Sequence, residues 1–481
     1  MILDGLEPRS VFRFFEEICA IPHGSGNTDA LSDFVAGFAA ARGLALRRDA
    51  LGNVVVFAPP SPGYENAPPV IVQGHLDMVC VTAPGVAKDM AREGPDLFVE
   101  GDMVGARGTS LGGDDGIAVA MLLALLDDPS LPRPALEAVF TVGEETGMGG
   151  ARGLDASDLR GRTLLNLDSE EEGVFTVACA GGARFALRRA AVREAAEGQL
   201  LHVGVEGLLG GHSGTEIDAG RGNANLLLGR LLAALAGAAP LRLLSACGGT
   251  AENAIPNASS AELVAAPEDV MSLLDAADRL CASLRREFAK TDPGLRLRAE
   301  VGPRAAVDAL TAEETGRFVR TLCAAPNGVQ AMSAAFPGLV ETSLNLGLLS
   351  LDESGWSLTF SLRSSAPDGK DSLKAALHAL AAEAGAETEV RGDYPAWTYR
   401  ADSPLRDRMV RIYERMFGAS PQVVSIHAGL ECGILAEKLP GLDCVSFGPD
   451  LTGIHSPEER MHIASVRRTW EFVKEILKES K

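Results

Sequence analysis

Apolar runs that stop at a glycine or an acidic tip dominate the first part of this chain. Pro69–Gln73 leads into Gly74, His75 and Asp77; Leu136–Val142 leads into Gly143 and the pair Glu144–Glu145; Thr163–Leu167 leads into Asp168. Short runs rich in β-branched residues and bounded by turn formers predict buried strands. Further strands are expected at Leu44–Arg48 and Val54–Phe57. Helical spacing instead predicts Val11–Ala20, preceded by Ser10 and stopped at Ile21-Pro22, and Asp29–Ala41, ending near Gly43. The glycine loop G-T-S-L-G-G-D-D-G-I-A carries Asp114 and Asp115 into an apolar helix, Gly116–Leu126. Alternating strands and helices of this kind predict an α/β sandwich.

From Gly181-Gly182 the pattern changes. Short alternating strands (Ala183–Arg189, Leu200–Val205, Ser260–Ala265, Ser357–Arg363) flank long Ala/Leu helices, of which Asn225–Ala238 and Pro267–Ala289 stand out. This texture predicts an α+β insertion with an antiparallel sheet. The end of the chain returns to the first texture, with helix Pro404–Phe417, strand Gln422–Ile426, helix Leu430–Glu437, strand Cys444–Phe447 and helix Ile463–Lys478. At 481 residues the chain exceeds one ordinary core. The expected organisation is a catalytic domain, 1–182 and 391–481, interrupted by a lid domain, 183–390.

Charge narrows the partners. Lys+Arg 44 against Asp+Glu 65 leaves a formal charge of -21, which argues against nucleic acid and anionic membranes. The most apolar long stretch, Leu226–Leu244, contains Arg230, Pro240 and Arg242 and reads as a packed helix and its exit. The opening M-I-L-D-G-L-E-P-R-S has no basic segment followed by an apolar one, so the expected location is cytoplasmic. Eight dispersed cysteines without a C-x-x-C pair read as reduced core residues.

Taken singly, H-x-D, E-E and G-G-D-D-G are ordinary segments. Taken in order, His75, Asp114, Glu145, Asp168 and His455 form a nitrogen and carboxylate donor set at the tips of probable strands. Zinc takes such ligands, and a catalytic site keeps a position for water. Asp114, short and flanked by glycines, suits a carboxylate bridging two ions. Asp77, two residues from His75 on an extended segment, lies on the same face and can accept the imidazole N–H. Glu144 is then free to act as general base toward a hydroxide bridged between the ions.

The ordered motifs G-H-L-D-M-V, G-G-D-D-G-I, E-E-T-G-M-G-G-A-R-G-L, N-L-D-S-E and G-I-H-S-P-E-E-R resemble the zinc peptidase family that includes aminoacylases and carboxypeptidase-G-like enzymes. Within it, F-F-E-E-I-C-A-I-P-H-G-S-G-N, G-G-H-S-G-T-E-I-D-A-G-R-G-N-A-N and I-H-A-G-L-E-C-G-I-L resemble the aminoacyl-histidine (Xaa-His) dipeptidase branch. The resemblance implies two zinc ions, with cobalt or manganese as alternatives, held by His75, Asp114, Glu145, Asp168 and His455. It implies Asp77 and Glu144 as the catalytic pair, and a cis peptide between Asp114 and Asp115. Where the branch more often has Asn after the bridging residue, this chain has Asp115, which adds charge beside the metals.

For the lid, the resemblance implies substrate contacts: His212 donating to the developing oxyanion, Asn253 holding the substrate backbone, and Arg363 clamping a C-terminal carboxylate. The implied activity is hydrolysis of Xaa-His dipeptides, including β-alanyl-histidine, by a homodimer. The rival readings are a tripeptidase or amide deacylase on the same metal core, and a non-catalytic peptide-binding protein. His427 and Glu431 are candidate pocket or supporting groups; His23, His378 and His462 are given no role.

Overall fold

The computed structural model describes residues 2–481, the side chain of Pro367 apart. The chain divides into two compact units: Met1–Cys179 with Trp397–Ser425 and Leu430–Lys481, and Ala180–Ala396 with Ile426–Gly429. The expected lid, 183–390, compares with this second unit. Outside the expected boundaries lies the excursion Ile426–Gly429, which places His427 in the second unit rather than the first.

The first unit is built on an eight-stranded sheet in the order Ala45–Arg48, Val54–Ala58, Leu136–Thr141, Val70–His75, Thr163–Asn166, Asp443–Ser446, Val174–Cys179, Gln422–Ile426. Val70–His75 runs parallel to both Leu136–Thr141 and Thr163–Asn166, and Asp443–Ser446 extends the parallel block. Register aligns His75 with Thr141 and Gln73 with Asn166. Three neighbouring strands therefore end together, and their C-terminal tips are the segments that carry His75, Glu144–Glu145 and Asp168. Ligand sites gather at such carboxyl edges in α/β sheets.

Helix Gly113–Asp127 is buried on every face from Gly113 to Leu126. Its backbone departs from helical geometry at Asp114 and Asp115; the stretch beyond, Ile117–Leu126, is apolar all round, belongs inside a layered core, and packs between the Arg9–Cys19 helix and Val70–His75. Burial of Leu122, Leu123 or Leu125 stabilises the unit by about 1.5–3 kcal/mol each. Gly74 permits the approach, since a Cβ there would stand 2.7 Å from Asp115 Oδ2 and 2.9 Å from Ala118 Cβ. The Asp114–Asp115 peptide is cis.

The second unit holds a nine-stranded sheet whose registered pairs are all antiparallel. Its strands are longer and more numerous than the apolar pattern predicts, reaching 15 residues in Arg296–Leu310. That strand begins R-L-R-A-E-V and is mostly exposed, so no apolar run announced it. Leu201, Val203 and Val205 point into a core shared with helices Ala224–Ala238, Val270–Glu287, Ala312–Ala324 and Pro367–Ala384. The segment expected as one helix from Pro267 opens with a 3-10 turn, Pro267–Asp269, before the α-helix starts at Val270.

No helix among the described residues is long and apolar enough to cross a membrane. The cysteines are free thiols, but only Cys19, Cys179, Cys432 and Cys444 are buried; Cys80, Cys247 and Cys323 are exposed, against the expectation of core residues. His462 acts structurally. Its Nδ1 accepts from Ser465 N at 3.2 Å and caps the terminal helix, while Nε2 faces Asp102 at 2.9 Å.

Candidate metal centre

His75, Asp114, Asp115, Glu144, Glu145, Asp168 and His455 come together in the first unit. Asp114 is the pivot. Its Oδ1 lies 3.1 Å from His75 Nε2 and its Oδ2 lies 3.1 Å from His455 Nε2. His75 Nε2 also faces Asp168 Oδ1 at 3.6 Å, and His455 Nε2 faces Glu145 Oε1 at 2.8 Å. The donor atoms of His75, Asp114 and Glu145 all lie within 4.8 Å of one another, as do those of His75, Asp115 and Asp168. One carboxylate thus serves two imidazoles, each flanked by a further carboxylate.

Asp77 takes a different part from the one expected. His75 Nδ1 donates to the Asp77 backbone carbonyl at 2.9 Å, while the Asp77 carboxylate stands 3.7 Å away. That carboxylate accepts from Glu144 N at 3.0 Å, Glu145 N at 3.3 Å and Ser25 Oγ at 2.9 Å. It holds the turn that presents both glutamates. The carbonyl bond leaves Nε2 of His75 as the nitrogen that could take a metal ion.

Crowded buried carboxylates repel one another and lose hydration. Burial, reinforced by the Asp168 charge, holds Asp115 well above the usual carboxylate range. Burial does the same to Glu144, with His75 opposing and Asp168, Glu431 and Glu145 adding. Asp168 is pushed up to about 6 by burial, against the pull of His75. Asp114 goes the other way: burial works to raise it, but hydrogen bonds to His455 and His75 hold it well below the ordinary value. Burial would lower His75, yet the Asp168 charge and the Asp114 hydrogen bond raise it well above the usual imidazole range. His455 is raised to about 10 by hydrogen bonds to Asp114 and Glu145.

These are the properties of a donor set suited to cations. Two imidazoles and several carboxylates, without thiolates, match borderline dications such as zinc. Asp168 Oδ2 is buried and accepts no hydrogen bond among the described residues. A dication bound here would displace the protons that otherwise neutralise the cluster.

Residues 71–479 match the profile of the peptidase family M20/M25/M40. The chain belongs to this family. It is 39% identical over 481 residues, covering 99% of each chain, to the cytosol non-specific dipeptidase of Escherichia coli. The crystal structure of aminoacylhistidine dipeptidase from Vibrio alginolyticus superposes with a TM-score of 0.88 at 36% identity, covering 99% of this chain and 97% of that one. An aminopeptidase from Bacillus cereus shares the fold, with a TM-score of 0.57 at 15% identity over 99% of both chains. The mixed α/β architecture is that of the M20 peptidase fold.

The lid candidates form their own cluster. His212 sits on the short strand Gly211–His212, paired with Ala254–Ile255. Its Nδ1 accepts from Thr215 N at 3.2 Å, a tautomer that leaves Nε2 carrying hydrogen. Arg363 lies buried on Gly355–Ser364, opposite Ser343, with Nη2 3.5 Å from His212 Nε2. Asn253 is exposed, and its backbone carbonyl accepts from Ser213 N at 2.9 Å.

His427 joins this cluster, its Nε2 2.7 Å from Ser343 Oγ, with burial and then the Arg363 charge lowering it to about 4. It remains neutral near pH 7. Gly214 makes the packing possible: a Cβ there would meet His427 O at 2.8 Å, His212 Cε1 at 2.9 Å and Arg363 Nε at 3.1 Å.

Glu431 underlies the metal cluster. It is fully buried, and its Oε2 accepts from Gln73 Nε2 at 2.7 Å and Thr141 Oγ1 at 2.5 Å; Asn166 Nδ2 donates to Gln73 Oε1 at 2.6 Å. One network ties the three strands whose tips carry the donors. Burial raises Glu431 to about 7, with Thr141 opposing. Its sequence signal, a position at a strand-to-helix turn in I-H-A-G-L-E-C-G, made it a candidate pocket or supporting group but showed no partner.

Proposed function

We propose that this M20 peptidase is a cytoplasmic metallo-dipeptidase that cleaves Xaa-His dipeptides, β-alanyl-histidine among them. The observation that carries the reading is Asp114 placing one oxygen before each imidazole, with Glu144 beside the cluster. In this reading His75 and Asp168 would hold one zinc ion and His455 and Glu145 the other, with Asp114 the carboxylate shared between the two positions. Zinc in these positions supplies Lewis acidity and lowers the pKa of water toward neutrality.

The remaining roles belong to the chain. Glu144 takes a proton from the attacking water on its carboxylate and returns it to the nitrogen of the departing amine. Asp77 keeps Glu144 placed by holding its backbone N–H. His212 donates its Nε2–H to the carbonyl oxygen as charge builds there. Asn253 holds the substrate backbone, and Arg363 binds the free C-terminal carboxylate through its planar guanidinium. Relatives at 39% and 36% identity that carry dipeptidase names support the short-peptide reading.

The test is a panel run after chelation and again after zinc is restored: carnosine, several α-Xaa-His dipeptides, Ala-Ala, a tripeptide and an N-acetyl amino acid. Zinc-restored cleavage confined to dipeptides and strongest with C-terminal His is expected. A broad rate across dipeptides would retain the chemistry and remove the His preference; dominant cleavage of the tripeptide or acetyl compound would overturn the dipeptidase reading. Arg363→Ala is expected to raise KM for dipeptides by about 10–100-fold, the loss of a charge-assisted contact of about 1.5–3 kcal/mol. Rates on dipeptide amides should barely change. Equal losses on both substrates would remove the clamp.

A further inference from the structure

Four residues beyond His455, in the H-S-P-E-E-R segment, lies a carboxylate that the mechanism does not use. Glu459 is 2% exposed. Its Oε2 accepts from Leu111 N at 2.8 Å and Gly112 N at 3.1 Å; its Oε1 accepts from Gly113 N at 2.8 Å and Asp114 N at 3.4 Å. Four successive N–H groups of the glycine loop thus converge on one side chain. The loop is shaped for this: Gly112 has φ +74, and a Cβ on Gly113 would stand 3.2 Å from Glu459 Oε1.

The other end of the link is equally constrained. His455 has φ +58, a left-handed conformation uncommon for a residue with a side chain. Such a backbone persists only where its surroundings hold it. Glu459 N donates to Ser456 O at 3.2 Å, closing the turn after His455, and Arg460 enters a strand paired with Met103–Ala106. The loop bearing His455 and the loop bearing Asp114 are therefore fastened to each other through one carboxylate.

We propose that Glu459 is a positioning residue that sets the spacing between His455 and Asp114, and so governs affinity at the metal position they share with Glu145. The position that includes His75 and Asp168 depends on it less, because His455 belongs to the other position and His75 is fixed by its own bond to the Asp77 carbonyl. A buried anion gathering backbone N–H groups is a rigid joint, because each donor loses its partner if either loop moves. Glutamine keeps the shape but turns an NH₂ group toward two backbone donors. Aspartate keeps the charge but shortens the reach.

This inference rests on the ligand assignment proposed above, so His455→Ala is measured beside it. Zinc per chain is determined across a series of buffered free-zinc concentrations, together with the unfolding temperature of the metal-free protein. Glu459→Gln is expected to weaken one of two ions by about 10–100-fold, the usual effect of losing an outer partner of a metal ligand. The second ion and the metal-free unfolding temperature should remain close to the parent's. Glu459→Asp should fall between the two, and adding Glu459→Gln to His455→Ala should remove no further ion. The kcat for a dipeptide should fall with KM unchanged.

Parent-like affinity for both ions in Glu459→Gln overturns the inference, as does parallel weakening of both with a large drop in unfolding temperature. If Glu459→Gln does not fold, parent-like zinc affinity in Glu459→Asp overturns it equally. Two ions retained by His455→Ala would sink the ligand assignment itself, a failure distinct from the others.

Discussion

Glu144→Ala is expected to keep its full metal content and lose about 10²–10⁴-fold in kcat, the range that a positioned general base contributes. The expectation follows from where the two neighbouring glutamates stand. Glu145 faces His455 Nε2 at 2.8 Å, inside the donor cluster. Glu144 shares the same Asp77-held turn but takes no place among the donor groups. Removing it should cost proton transfer and leave metal binding alone. Glu144→Gln should match the alanine variant, since it keeps the shape and removes the base, whereas Glu144→Asp should recover part of the rate. Metal analysis paired with steady-state kinetics checks this; near-normal turnover by a fully metallated Glu144→Ala chain would falsify the assignment.

Asp114→Ala is expected to abolish turnover by a different route. Each oxygen of Asp114 faces a different imidazole at 3.1 Å, so its loss strips a donor from both positions at once. Zinc affinity should fall at both, by more than the roughly 100-fold that loss of an outer partner brings. His455→Ala should empty one position only. Zinc titration of the two variants side by side separates a shared donor from an unshared one. If Asp114→Ala still binds one ion with parent affinity, the bridging role is wrong.

The candidate donors were legible in the sequence because their local surroundings are extreme. An apolar run ending in G-H-L-D, a glycine loop around Asp114 and a strand running into Glu144–Glu145 each leave a mark within ten residues or so. The supports were less legible because their meaning is made at a distance. Glu459 looks like one of two surface acids, yet its partners lie 345 to 348 residues earlier in the chain. Glu431 reaches Gln73 across 358 residues. The Asp77 carboxylate sits beside His75 in sequence but is turned toward the Glu144–Glu145 backbone, a choice that only the folded turn makes.

In the second unit, Arg296–Leu310 escaped notice because its polar and small residues carry no strong alternation of apolar side chains. His427 escaped its domain because four residues cross a boundary that composition does not mark.

The strand order of the first sheet also bears on how a newly made chain reaches its folded form. Thr163–Asn166 finds its outer neighbour, Asp443–Ser446, only after the whole second unit has been synthesised. Until then its outer row of backbone N–H and C=O groups is an open template, the kind of edge that recruits other chains. Val174–Cys179 follows Asp443–Ser446 in the sheet order and has no parallel block to join before that strand arrives. His455, the last of the proposed donors, is translated later still. A half-made chain is thus adhesive and lacks part of the proposed metal site; inserting Asp443–Ser446 covers the edge, and the segment that follows supplies His455.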